Sequence, residues 1–455
     1  MDGKFILPII FALLIYNVVL YSALALAVLS SPYIAYRIYK TGKYRESLFR
    51  RLGLIIDDPP GISKGDRVIW LHAVSVGETL ATIEFQKKLK AAFSDCKLLF
   101  TVSTETGFAV AREKCKSADA VVYFPMDFHF SINRFLSRFN PCALILTETE
   151  VWPNLLAILH KKNIPAFIIN GRLSDRSYKS YMKYSFIFRP IFNLLSSSMM
   201  QSALDSERII AAGADAKKVM AAGNIKYDEI KTYLNIDPAG VYELFGYNPD
   251  DLIFVAGSVH PIEDEKVIQA YIEVKKYHGA LKMIIAPRKF DRIDSLFAYL
   301  SARAIEYEKR SMLIKTGARP SCDVMVLDTV GELVKTYSMA RAVFVGGSLV
   351  DIGGHNLLEA AVFKKPVLFG PHTHNFKEMA AGFLESGGGI LVEDENALSS
   401  KIKELIKMPQ SEYSALSERA YGEAVKRTGA SDKIILCLQS LLNFVIIMLN
   451  LLDFM

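Results

Sequence analysis

Two stretches in the first half of the chain join the end of an apolar run to the start of a helix-length segment and carry acids, and a third, closing the first domain beside the linker, carries a base. Ser75-Val76-Gly77-Glu78 follows the apolar run Val68–Val74 and opens a segment that reads as helix from Glu78 to about Phe93. A carboxylate at that place stands at the carboxyl edge of a sheet, where it can take a proton from an incoming hydroxyl. The competing role is stabilisation of the first helical turn, worth about 0.3–1 kcal/mol. The residue types leave the two even, with Gly77 expected to ease the tight turn. Thr147-Glu148-Thr149-Glu150-Val151-Trp152-Pro153-Asn154 repeats the arrangement with two acids one residue apart, and Pro153 suits a first helical position. Glu148 can hold a hydroxyl or a cationic partner there, while complementing a helix dipole explains both acids slightly better. Gly223-Asn224-Ile225-Lys226-Tyr227-Asp228 supplies a lysine. Its point charge suits a leaving phosphate or a sugar carboxylate, although most lysines are solvated surface.

The second half offers Pro287-Arg288 after an apolar run, Val330-Gly331-Glu332 before a helix, and Gly353-Gly354-His355-Asn356-Leu357-Leu358-Glu359 across a loop and a helix start. Backbone N–H groups at helix N-termini attract anions, and a nearby carboxylate can accept from a ribose diol. Singly each is weak, because Gly-Gly also makes ordinary turns; their convergence is the stronger signal. His72, His260, His355, His372 and His374 fall near strand ends without metal-ligand spacing, so they read as satisfied core or loop histidines. No Asp-x-Asp occurs, which makes a metal-independent donor site the simpler expectation.

These residues need strands and helices to place them. Val68–Val74, Leu98–Val102, Ala120–Phe124, Ala143–Leu146 and Ala166–Ile169 are continuous apolar runs separated by helix-length segments, the spacing of βα units. Their continuity fits parallel strands covered on both faces. Turn-forming residues mark 236–251 as a linker, and a second series follows at Leu252–Ala256, Met283–Ala286, Val324–Leu327, Ala342–Val345, Pro366–Phe369 and Ile390–Val392. The expected class is α/β, two doubly wound Rossmann-like domains whose strand carboxyl ends face one cleft. The domain plan is 1–36 anchor, 37–235 first domain, 236–251 linker, 252–430 second domain and 431–455 apolar helix.

A chain of 455 residues with 51% apolar and 22% charged residues is neither a disordered polyelectrolyte nor a wholly membrane-embedded transporter. The net charge of +6 suits an anionic lipid surface without demanding nucleic acid. Cys96, Cys115, Cys142, Cys322 and Cys437 are scattered, and read as reduced, mostly buried thiols. Phe5–Leu29 is an uncharged run of 25 residues. As a helix it is about 37 Å long against a hydrocarbon core of roughly 30 Å. Arg37, Lys40, Lys43, Arg45, Arg50 and Arg51 follow it, whereas only Lys4, Asp2 and the terminal amine precede it. This places the body in the cytoplasm. A cleaved signal peptide is the weaker alternative, since the run exceeds the usual apolar length. The uncharged tail Ile434–Leu452 reads as a helix packed on the body or lying at an interface, because Gln439, Ser440, Asn443 and Asn450 interrupt it. Between Arg176 and Phe192 cations alternate with aromatics, which suits either a headgroup zone or an ordinary amphipathic helix.

Taken together, the motifs resemble the Kdo (3-deoxy-D-manno-octulosonic acid) transferase family, from about Tyr36 to Arg427. Ser-Val-Gly-Glu at Ser75–Glu78, Glu-Thr-Glu-Val-Trp-Pro-Asn at Glu148–Asn154, Gly-Gly-Ser-Leu-Val at Gly346–Val350, Gly-Gly-His-Asn at Gly353–Asn356 and Gly-Pro-His-Thr at Gly370–Thr373 stand in the family's order. The resemblance implies a GT-B glycosyltransferase, inverting and metal-independent, without a cofactor, that takes Kdo from CMP-Kdo to a lipid A precursor (lipid IVA) at the bacterial inner membrane. It implies that Glu78 is the proton acceptor, that Glu148 and Lys226 stabilise the transition state, and that Pro287, Arg288, Val330, Gly331, Glu332, Asn356, Leu357, Leu358 and Glu359 bind CMP. On that view Lys226, Arg288 and helix N-termini meet the charge of the leaving phosphate. Val330 replaces a commoner methionine and Leu357 a proline, and the tail after Ser431 lies outside the usual pattern. Partners are then the donor, the lipid acceptor and membrane lipids, with no nucleic acid. Another GT-B enzyme using a UDP-sugar, a sugar-nucleotide isomerase and a non-catalytic sensor are the alternatives.

Overall fold

The computed structural model describes residues 3–42 and 44–453, with side chains for 7–33, 36–40, 42, 44–291 and 293–442. The chain forms two compact units, Met1–Asp228 with Gly429–Met455, and Glu229–Thr428. Each is built on one parallel seven-stranded sheet.

In the first unit the strands are β1 (Val68–Ala73), β2 (Lys97–Val102), β3 (Ala120–Tyr123), β4 (Pro141–Thr147), β5 (Ala166–Gly171), β6 (Ser197–Met200) and β7 (Val219–Ala221), in the order β3-β2-β1-β4-β5-β6-β7. All six residues of β1 are buried, as expected of a central strand with helices on both faces. Trp70 of β1 is fully buried and its indole N–H donates to Thr101 Oγ1 at 2.8 Å. The order reverses between β1 and β4, so the carboxyl ends of these two strands flank the point where open α/β sheets take their ligands.

The second unit has β8 (Ile253–Val259), β9 (Lys282–Pro287), β10 (Tyr307–Lys309), β11 (Val324–Val326), β12 (Ala342–Val345), β13 (Val367–Phe369) and β14 (Gly389–Leu391), ordered β10-β11-β9-β8-β12-β13-β14. Its reversal lies between β8 and β12. The segment 236–251, expected as a linker, belongs to this unit and contains the helix Pro238–Phe245. Asp237 caps that helix, Pro238 begins it and Gly246 ends it in the left-handed region, so the turn residues of the stretch punctuate a helix.

The N-terminal helix Gly3–Leu29 includes a stretch, Leu7–Leu29, long and apolar enough to cross a membrane. It does not stand clear of the first unit. Ile9 and Leu13 pack against that unit's core and Ala12 is fully buried, while Leu7, Phe11, Leu14 and Val18 are exposed. Of its expected flanking charges, Asp2 and Lys43 lie outside the described residues, as does the side chain of Lys4. The aromatic and basic stretch forms two helices, Asp175–Lys183 and Ser185–Phe192. Tyr181, Phe188 and Phe192 pack together inward, and Phe186, Tyr184 and Met182 remain exposed.

The C-terminal helix Ala430–Asp453 packs on the first unit through Ile434, Leu438 and Leu442, alongside Phe85 and Leu89. Asp228 accepts from the backbone N–H groups of Gly429 and Ser431 at its start, which ties the end of the chain back to the first unit. The side chains of Asn443 and Asn450, like all beyond 442, lie outside the description. All five cysteines are free thiols, Cys96 and Cys115 buried and the other three half-buried.

Candidate active site

Beyond β1 the chain stays extended through Ser75 (φ −118°, ψ 170°) and then turns into the helix Val76–Ala81. Ser75 Oγ accepts from the Glu78 N–H at 3.4 Å and donates to Glu78 Oε1 at 2.8 Å; the Val74 N–H donates to Oε2 at 2.8 Å. This is a Ser-x-x-Glu box, legible in Ser75–Glu78 as a helix-start signature, in which the acid bends back over the N-terminus. Glu78 therefore performs the first-turn role, and its carboxylate is held in place by it. Each carboxylate oxygen keeps a further lone pair. Gly77 is not needed for the turn: its φ is not positive, and a Cβ on it would meet nothing nearer than Ser75 Oγ at 4.0 Å. The helix expected through Phe93 breaks at Thr82 into Val76–Ala81 and Ile83–Ala92, where the Thr82 hydroxyl donates to the Thr79 carbonyl at 2.8 Å.

Glu148 follows β4 in the left-handed region at φ 62°, a conformation that costs a non-glycine residue and persists where its surroundings over-determine it. Its N–H donates to Ile169 O at 2.9 Å, and the Glu150 N–H donates to Glu148 O at 3.0 Å. Burial raises the Glu148 carboxyl above the usual range and the charge of Glu78 adds to this, against Arg172 and Lys226. Glu150 is pushed up to about 7, first by burial and then by Glu78 and Glu148. These couplings bring three carboxylates and two cations into one field at the carboxyl end of the first sheet. Lys226 is exposed and its segment is pinned by the Ile225 N–H donating to Asn170 Oδ1 at 3.1 Å. Glu150 and Arg172 were not singled out from sequence. Their available signals were the paired acids of Glu148–Glu150 and an arginine placed directly after β5.

Glu150 has a measurable consequence. Its carboxyl holds a proton in the folded state up to about pH 7, whereas the unfolded chain releases it near pH 4.5. Between those values the folded state binds the extra proton, so this group's contribution to stability falls as pH rises. Glu150→Gln should raise stability at pH 8 on the order of 1–3 kcal/mol and leave it nearly unchanged at pH 4. Thermal melts at both values check this, and an equal shift at each would overturn it.

In the second unit Arg288 is exposed directly after β9, and its N–H donates to Val259 O at 2.9 Å. It lies close enough to His260 and His355 to lower the pKa of both, behind the larger effect of burial; His355 falls to about 4. The two rings are parallel, with Nε2 atoms 2.9 Å apart, which requires one nitrogen to donate and the other to accept. Gly353 and Gly354 have φ 103° and 78°, so this Gly-Gly serves a backbone that other residues resist. Asn356 Oδ1 accepts from the Leu358 N–H at 3.2 Å and its amide donates to Glu359 Oε1 at 3.3 Å.

Other expected donor contacts face inward. Leu357 and Leu358 are buried, leaving only their main chain for a ligand. The Glu332 carboxylate is engaged by Arg310 at 3.0 Å and by the Thr329 hydroxyl. Val330 is 87% exposed and Gly331 has φ 86°, so the accessible part of that motif is 330–331. The N–H groups of Gly347, Ser348 and Leu349 are already filled by the carboxylate of Glu263, a residue the motifs did not mark.

The other three histidines marked near strand ends are accounted for locally. His72 is buried against Phe124 with Nδ1 3.0 Å from Thr101 O, and burial drives its pKa down to about 3. His372 and His374 each lie 3.5 Å from Asp351. Among the described residues no group of three or more His, Cys, Asp or Glu is arranged to hold a metal ion.

A family model described as 3-deoxy-D-manno-octulosonic-acid transferase (kdotransferase) matches residues 46–229. The chain is similar to a bifunctional glycosyltransferase/methyltransferase of Fusobacterium nucleatum, 34% identical over 362 residues, which cover 79% of this chain and 55% of that protein. It thus spans about half the length of that relative. It is also similar to the 3-deoxy-D-manno-octulosonic acid transferase of Haemophilus influenzae, 31% identical over 405 residues covering 87% of this chain and 91% of that one. Among solved structures, the UDP-GlcNAc 2-epimerase of Neisseria meningitidis bound to UDP-GlcNAc is 15% identical, with a TM-score of 0.55 over 82% of this chain and all of that one. This likeness concerns the fold, the two-domain α/β architecture shared with GT-B glycosyltransferases.

Proposed function

The chain belongs to the 3-deoxy-D-manno-octulosonic acid transferase family, and from that premise we propose that it transfers Kdo from CMP-Kdo to a lipid A precursor by a metal-independent, inverting displacement. Glu78 deprotonates the attacking sugar hydroxyl. The observation that carries this is the carboxylate of Glu78 beyond the carboxyl end of β1, held by Ser75 and Val74 in the same field as Glu148, Glu150, Arg172 and Lys226. With Glu150 carrying a proton to about pH 7, repulsion on Glu78 and Glu148 is relieved near neutrality. Lys226 and Arg172 supply positive charge for the acidic sugar.

Donor binding falls to the second unit. Arg288 offers a cation for the single phosphate of CMP, and residues 330–331 and 356–359 contribute main-chain donors and the Glu359 carboxylate. Leu357 and Leu358, being buried, can act only through their main chain. The helix Gly3–Leu29 anchors the protein at the inner membrane with the body on the cytoplasmic side. Because one of its faces is docked, the first unit accompanies it to the bilayer.

The test is mass spectrometry of lipid products after incubation with CMP-Kdo and a tetraacylated lipid A precursor. Acceptor lengthened by one or more Kdo units is expected. An unchanged acceptor, or calorimetric binding of UDP in preference to CMP, would overturn the reading.

A further inference from the structure

Asn17 sits in the middle of the apolar N-terminal helix. A primary amide there costs free energy unless it is partnered. Asn17 Nδ2 donates to Asn154 Oδ1 at 2.8 Å, and Asn154 Nδ2 donates back to Asn17 Oδ1 at 2.7 Å. The second protons go to Leu13 O at 2.9 Å and to Asp127 O at 2.7 Å, so both amides use every donor they have. Asn154 is fully buried. It occupies the first turn of the helix Pro153–Lys161, whose N-cap residue, Trp152, has no capping side chain. Asp127 takes over that duty from a distant loop, accepting from the N–H groups of Asn154 at 3.0 Å and Leu155 at 2.8 Å. Tyr16, beside Asn17, hydrogen-bonds to the same carboxyl. Tyr21, a turn further on, packs its ring 5.6 Å from that of Phe128.

This latch meets the chain where the loop bearing Glu148 ends. Val151 and Trp152 pack that loop's apolar end against the first unit's core, with the Trp152 ring 5.0 Å from that of Phe124. Its buried polar side chains are not matched: the hydroxyls of Thr147 and Thr149 and the indole N–H of Trp152 are buried without a partner among the described residues. Its backbone is tied at Glu148 and Glu150, and its exit is fixed by Asn154.

We propose that Asn17 is a positioning residue for the transfer reaction: through Asn154 it fixes the exit of the Glu148–Trp152 loop, so the N-terminal helix is part of the active-site framework as well as an anchor. The inference rests on the reading of Glu148 as a site residue. It is tested on the full chain in detergent micelles with dispersed acceptor, where tethering to a bilayer no longer limits the rate. In Asn17→Leu, amide hydrogen exchange across 148–155 should quicken at least tenfold. Turnover should fall roughly tenfold to a hundredfold, as for a misplaced catalytic group, with KM for the CMP-sugar unchanged. Asn17→Ser, which puts a shorter hydroxyl in place of the amide, should fall between Leu and the parent, and Val18→Ala on the exposed face of the same helix should match the parent. Unchanged exchange or unchanged turnover in Asn17→Leu overturns the inference, as does an equal loss in Val18→Ala. Glu148→Gln is the separate control: parent-rate turnover there defeats the assignment of the site, whereas the exchange result still judges the latch.

Discussion

Glu78→Gln lowers turnover of the lipid acceptor at least about a hundredfold and leaves KM for the CMP-sugar at the parent value. The amide cannot take a proton from the attacking hydroxyl, yet it retains the length and one acceptor oxygen of the parent side chain. Its structural cost is limited to the charge at a helix N-terminus and one weakened bond from Ser75 or Val74, about 0.3–1 kcal/mol. The two roles of Glu78 are thereby separable. A base predicts a large fall in rate with a small change in melting temperature, whereas a helix cap alone predicts a small change in both. Steady-state kinetics beside a thermal melt decide between them, and parent-level turnover would remove Glu78 from the mechanism.

Glu263→Ala destabilises the second unit by at least about 3 kcal/mol, because each buried donor left unpaired costs about 1–3 kcal/mol. Glu263 is fully buried, and its carboxylate accepts from the N–H groups of Gly347 at 2.6 Å, Leu349 at 2.8 Å, Ser348 at 2.9 Å and His260 at 3.2 Å. Among the described residues no other acceptor serves those N–H groups once the side chain is cut back, and partial rehydration recovers only some of the loss. The damage extends toward the donor motif, since the Gly354 N–H bonds to Gly347 O at 2.7 Å and His355 pairs with His260. CMP affinity should fall together with the denaturation midpoint. Chemical denaturation and a calorimetric CMP titration check the pair of effects; a midpoint equal to the parent's would show that Glu263 does not hold the loop.

The tandem α/β plan was legible because a strand buried on both faces must be apolar throughout, and a run such as Val68–Val74 announces this without any partner in view. Three strands are not legible in the sequence, for the same reason. β6 is Ser-Ser-Met-Met, β7 is Val-Met-Ala and β10 is Tyr-Glu-Lys, each too short or too polar to stand out, and each is completed by pairing with a neighbour already in place. Helix starts were partly legible: Pro153 opens its helix as its type suggests, whereas the cap belonging to it comes from Asp127.

The same division runs through the candidate site. Residue type and place at a strand end singled out Glu78, Glu148 and Arg288, and residue type beside the interdomain turn singled out Lys226, because chemical capacity and local turn geometry belong to a few consecutive residues. The raised carboxyl of Glu150, the filling of the Gly347–Leu349 amides by Glu263 and the pairing of Asn17 with Asn154 belong to no local stretch. They join residues far apart in the chain, and burial and electrostatic fields depend on everything that surrounds a group in space. The amino-acid order therefore determined what each segment becomes and which side chains can react, while the tertiary fold alone decided which of them meet, which are already occupied and how strongly each holds its proton.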